Sequence, residues 1–139
     1  MATVSAEEQG NLRRHWLACV NEISDFSLQR STWLDPMNRN PHWSYIEFVC
    51  SYPDDEQLRF AKDHGFVRAD EFEAFKVLRV ALDSHKAPND DDYDNAAILA
   101  DPAWHDVVAT ARNVKQRLLS ILGDPVERRY LLDDVASFG

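Results

Sequence analysis

Glycine is scarce in this chain, at four of 139 residues. That scarcity excludes an architecture of tight hairpins, which draws on glycine for left-handed turn positions. Cysteine is nearly absent as well. Cys19 and Cys50 stand inside apolar periodic segments, without the spacing of a metal site or a disulfide framework, and both are expected to be reduced core residues, as suits the cytoplasm. No apolar run approaches the roughly 20 residues that span a bilayer, and the opening MATVSAEEQG lacks the basic-then-apolar order of a secretory signal. The expectation is a cytoplasmic protein with no membrane partner. Basic charge is short too, with 15 Lys and Arg against 24 Asp and Glu for a net charge of −9. A field of that sign repels phosphate backbones, so direct nucleic-acid binding is not expected.

What is present is the composition of an ordinary globular protein, 45% hydrophobic and 28% charged. A chain of 139 residues fits one domain and can bury roughly 65–70% of its extended surface, enough for one core without staples. Helix-start signals then recur along it. Ser5-Ala6-Glu7-Glu8 has capping-box spacing, and Leu12, Trp16, Cys19, Val20 and Ile23 follow at offsets of three and four, with Arg13, Arg14 and Asn21 off that stripe. Ser27 opens a shorter helix to about Trp33.

The segment from Trp33 to Phe48, WLDPMNRNPHWSYIEF, concentrates two tryptophans, two prolines, a histidine, a tyrosine and a phenylalanine. Such rings anchor binding sites and cores alike. Asp35-Pro36 and Asn40-Pro41 force extended backbone and predict a structured loop from Asp35 to Trp43. A second capping box, Ser44-Tyr45-Ile46-Glu47, then starts an apolar helix to Tyr52 that is expected to be central, stopped by Pro53. This favours a core corner over a gripping site.

Asp54 or Asp55 can cap a helix ending at Gly65, and the next runs from about Ala69 to His85 with Phe72, Phe75, Leu78, Arg79 and Leu82 inward. Lys86 to Asn95 reads as a polar, flexible loop. Asp101-Pro102 begins a long helix with Trp104, Val108, Ala111, Leu118, Leu119 and Leu122 on one side, ending at Gly123; Asp124-Pro125 repeats the device for a last helix through about Ala136. No segment alternates as a strand. The sum is an all-α, single-domain bundle of six to seven helices over residues 1–139.

Catalytic and metal signatures are missing. The five histidines, His15, His42, His64, His85 and His105, form no i, i+4 pair and no H-E-x-x-H, and glycine-rich phosphate loops and G-x-S-x-G are absent. Asp90, Asp92, Asp94 and Asp101 match positions one, three, five and twelve of a calcium loop, but Asn95 replaces the glycine of the sharp turn and Asp101 the bidentate glutamate. No metal or other cofactor is expected. Glu47, expected to be part-buried among aromatics, could serve as a general acid with His42, yet its capping position accounts for it more simply. The chain is read as non-enzymatic.

Charge is the remaining signal. From Asp83 to Asp106 stand seven acids and one base, Lys86, supplying six of the nine net negative charges. Asp90, Asp91, Asp92, Tyr93 and Asp94 combine carboxylates with an aromatic anchor and form the first candidate partner-binding patch; Asp54, Asp55 and Glu56 form a second.

The segments WLDPMNRNPHWSYIEFVCSYPDD, HGFVRADEF and DYDNAAILADPAW resemble bacterial immunity proteins of polymorphic toxin systems, particularly those of contact-dependent growth inhibition. The resemblance runs from Trp33 to about Trp104. It implies a small, acidic, cytoplasmic, non-enzymatic protein that binds the toxic C-terminal domain of a cognate delivery protein, commonly a basic nuclease, and occludes its active site. No residue role carries over by motif. The alternative is an acidic helical regulatory or scaffold module for another basic protein.

Overall fold

The computed structural model describes residues 5–40 and 42–133. Their elements are α1 (Ala6–Ser24), α2 (Phe26–Trp33), α3 (Tyr45–Ser51), α4 (Asp55–Asp63), α5 (Ala69–Ser84), a 3-10 turn (Pro88–Asp90), α6 (Asn95–Leu99), α7 (Pro102–Ile121) and α8 (Pro125–Leu132). The all-α bundle is as expected: seven of these helices have seven residues or more, and no strand occurs among the described residues. The short α6 begins at Asn95, the last residue of the segment read as a loop, and continues through residues 96–99, to which no element had been assigned. The last helix ends at Leu132; its expected continuation to Ala136 lies outside the described residues.

Local chemistry starts most of these helices. Ser5 Oγ accepts the Glu8 N–H and Ser44 Oγ the Glu47 N–H, each satisfying a first-turn donor that has no partner inside its helix. Asp54 forms a complete capping box with Gln57. Asp101 and Asp124 each cap a helix whose first residue is proline. Gly65 ends α4 at φ +80°, and the Phe66 N–H reaches back to the Ala61 carbonyl at 3.1 Å, the closing bond of a left-handed helix terminator.

The centre of the bundle is α1, α5 and α7, with α7 packed against both of the others, α8 against α1 and α4 against α5. This corrects the placement of α3. Its Tyr45 and Phe48 are buried, but Glu47 and Cys50 are exposed. Nearly every residue of α3 is apolar, so periodicity could not choose its inner face, and contact with α1 and α7 does. Cys19 is buried as expected.

Polar side chains also enter the interior. Arg13 joins α1 to α5 and α8: it pairs with Glu71 and Glu127, each at 2.7 Å, and donates to the Phe66 carbonyl. Burial alone would raise the Glu71 carboxyl, and donors from Arg13 and the Arg68 backbone outweigh it, holding Glu71 below the usual carboxylate range. Asn21 is buried too, accepting from Lys115 and donating to the Asp133 carbonyl. Arg13 and Asn21 therefore face neighbours despite standing off the apolar stripe.

Trp104 is fully buried, and its Nε1–H donates to Gln29 Oε1 at 2.9 Å. Gln29 in turn donates through Nε2 to the Glu22 and Ile23 carbonyls at the end of α1. Gln29→Leu keeps the volume but strands the Trp104 indole N–H and the Ile23 carbonyl, whereas the Glu22 carbonyl keeps the Asp25 N–H. A loss of about 2–3 kcal/mol is expected, seen as a lower urea midpoint with unchanged slope; an unchanged midpoint would contradict this bonding.

Candidate functional site

The aromatic segment is a core corner. Trp33 packs edge-on against Phe48 at 5.2 Å between ring centroids, and Trp33, Tyr45 and Trp104 form a triangle of rings with centroids 5.2–6.3 Å apart. His42 does not meet Glu47. Its Nε2 lies 2.9 Å from Glu22 Oε2, and that contact raises the imidazole above its ordinary pKa against the lowering effect of burial. The pairing of His42 with Glu47 that a general-acid role needed is not formed.

Around Trp104 a second polar chain assembles. With the Nε2–H tautomer of His85, which a carboxylate neighbour favours, the imidazole donates to Asp101 Oδ2 at 3.1 Å and accepts the Tyr45 hydroxyl at Nδ1 at 2.9 Å. The His85 side chain is 1% exposed. Desolvation first, then Asp92 and Asp101, push the Tyr45 phenol up to about 12, so at neutral pH it is a neutral donor and no nucleophile. Asp101 is held low, chiefly by the Ala103 N–H and further by His85. Asp–His–Tyr connectivity here joins three elements and presents no reactive group.

Its consequence is the geometry of the acidic loop. His85 stands just before the loop, Asn95 just after it with Oδ1 accepting the Tyr45 N–H, and Ala87 is buried in the core. Between these fixed points the chain turns tightly: Asn89 and Asp90 adopt φ of 58° and 55°, a left-handed conformation that Asn and Asp tolerate better than other side chains. The Asp90 and Asp91 N–H groups bond to the Ala87 and Pro88 carbonyls. Asp91 Oδ1 accepts the Tyr93 N–H and Asp94 Oδ1 the Ala97 N–H. The segment read as flexible is thus closed on itself by hydrogen bonds.

Asp90, Asp91, Asp92, Tyr93 and Asp94 are all exposed, Tyr93 to 76%. No lysine or arginine pairs with them among the described residues. The second patch differs. Asp54 is occupied in its capping box, Asp55 is paired with Arg59 at 2.7 Å and feels Lys76, and Glu56 edges a cleft of about 340 Å³ lined by Leu12, Trp16, Phe60 and Phe66. The surroundings of α4 are partly basic, since Arg59, Lys62 and Lys76 all lie within 6 Å of the Phe72 ring centre. The fold does not join the two patches: Asp55 lies by Lys76 in the middle of α5, and the loop follows that helix's C-terminal end.

Among the described residues no group of three or more His, Cys, Asp or Glu could hold a metal ion, and no helix is long and apolar enough to cross a membrane. Asp101, the twelfth residue of the calcium-like pattern, is bound to His85 and Ala103. Comparison with protein families, with curated proteins and with solved structures finds no match to this chain.

The clamp through Tyr45, His85 and Asp101 had no sequence signal, because its members are scattered over three segments. If it orders the loop, Tyr45→Phe should lower backbone order parameters of residues 89–94 from about 0.8 toward 0.6, measured by 15N relaxation. Unchanged values would show the loop to be held by its own turns alone.

Proposed function

We propose that this chain is an immunity protein, a non-catalytic binder that neutralises the toxic C-terminal domain of a cognate contact-dependent growth inhibition toxin by covering its active site. The observation that carries the reading is the ordered loop in which Tyr93, 76% exposed, stands among four exposed aspartates with no cation paired to them among the described residues. A nuclease active site is cationic because it holds phosphates. Carboxylates fixed in place can substitute for those phosphates, and a rigid tyrosine adds contact area at small entropic cost. Preorganisation matters here, since a loop already closed by backbone and Asx hydrogen bonds loses less freedom when it docks. The net charge of −9 adds long-range attraction toward a basic partner.

Two changes separate steering from anchoring. Converting Asp90, Asp91, Asp92 and Asp94 together to asparagine keeps every side-chain cap and removes only charge. Association with the toxin domain, followed by stopped flow, should slow about tenfold at low salt and converge with wild type near 0.5 M salt. Tyr93→Ala should leave the on-rate nearly unchanged and raise the off-rate about thirtyfold, the effect of losing a central aromatic anchor. An unaltered on-rate in the asparagine variant would exclude this loop as the docking surface.

A further inference from the structure

The groove between α2 and α7 is cationic on a molecule whose net charge is −9. A groove of about 500 Å³ is lined there by Phe26, Ser27, Arg30, Ser31, Leu34 and Arg112, with no carboxylate among them. Ser27, Arg30, Ser31 and Leu34 recur at helical offsets of three, four and seven, so one side of α2 faces the groove. Arg112 comes from α7. Its Nε–H donates to the Ser24 carbonyl at the end of α1, at 3.2 Å, which fixes the guanidinium and leaves its Nη donors without a partner among the described residues. The Arg30 side chain has no hydrogen bond or ion pair among the described residues.

On the other side of Phe26 and Arg112 a slot of about 190 Å³ continues past His105 and Val108. Phe26 meets His105 edge-on at 5.1 Å, and His105 is held by the Leu99 carbonyl at 2.7 Å. A neighbouring groove around Lys115 is a poorer anion site. Asp25 and Asp133 share its lining, and Lys115 is already bonded to Asn21.

We infer that the α2–α7 groove binds a small organic phosphate, with its phosphate between Arg30 and Arg112 and its ring or other flat apolar body in the slot beside Phe26 and Val108. The donors match that head group. Two guanidiniums and the Ser27 hydroxyl, with Ser31 already donating to the Leu28 carbonyl, offer more hydrogen bonds than the two oxygens of a carboxylate can accept, and two positive charges balance a phosphomonoester of about −1.5 to −2 at neutral pH. The slot fits the body, since a cavity of about 150 Å³ is enough to hold benzene. Neither α2 nor the middle of α7 contributes to the acidic loop, so this site stands independently of the toxin-binding proposal.

The test is a 1H–15N titration of the full chain with phenyl phosphate, inorganic phosphate and benzyl alcohol. Phenyl phosphate should give saturable shifts at residues 26–31 and around Arg112, about tenfold tighter than inorganic phosphate, with benzyl alcohol weaker than either. Arg30→Gln removes a side chain without partners, so the fold and Tm should be unchanged while phenyl phosphate binds at least about tenfold more weakly. Absence of saturation by either phosphate up to about 10 mM, shifts mapping elsewhere, or equal affinity in Arg30→Gln would overturn the site. Equal affinity for the two phosphates would overturn the role assigned to the slot.

Discussion

Trp104 and Gln29 hold the rest of the bundle in register. A fully buried indole removes about 150–250 Å² from water, worth about 4–6 kcal/mol at the usual apolar coefficient, but its N–H must find an acceptor or much of that gain is lost. Gln29 supplies the acceptor from α2 and uses its own donors on the last carbonyls of α1. One amide thus fixes how α1, α2 and α7 meet. Trp33, Tyr45 and His85 then pack around the same indole with ring centroids 5.2–5.8 Å away, bringing α3 and the end of α5 to it.

The presentation of the acidic loop follows from that arrangement. Tyr45 can reach His85, and His85 can reach Asp101, only because all three surround Trp104. The loop between His85 and Asn95 is therefore tied at both ends to the best-packed part of the molecule, while its own carboxylates point to solvent. Surface charge is sorted accordingly: an uncompensated acidic loop beyond α5, compensated acids along α4, and a small cationic groove between α2 and α7. On a strongly acidic protein a two-arginine groove is felt only at short range, because charges farther apart than about 8–10 Å are screened at physiological salt.

Helix starts and stops were legible because their chemistry is local. Ser5, Ser44, Asp54, Asp101-Pro102, Asp124-Pro125 and Gly65 each act within a few residues of their place in the chain and start or stop a helix as their spacing indicates, although at Ser5 and Ser44 only the serine half of the expected capping box forms. The inward stripe of α5, Arg79 included, was legible for the same reason. Tertiary choices were not. Gln29 and Trp104 are 75 positions apart and Arg13 and Glu127 are 114 apart, so no window on the sequence reveals their bonds. Cys50 and Glu47 were assigned inward because α3 is apolar almost all round, and α6 was missed because five residues leave no periodic pattern. Of the candidate site, the acidity and exposure of residues 90–94 could be read directly, whereas their ordering through Tyr45 and His85 could not. The cationic groove had no reading in the sequence, because it forms only where Ser27, Arg30 and Ser31 on one side of α2 meet Arg112 from a distant helix.

We propose that the loop at Asp90–Asp94 is the surface through which a basic toxin domain is bound. Affinity capture from the native host, with wild-type protein and the four-asparagine loop variant compared by quantitative mass spectrometry, tests it most directly. One strongly enriched partner carrying a basic C-terminal domain is expected, recovered with wild type and lost with the variant. Equal recovery of the same partner by both proteins, or enrichment of an acidic partner, would contradict it.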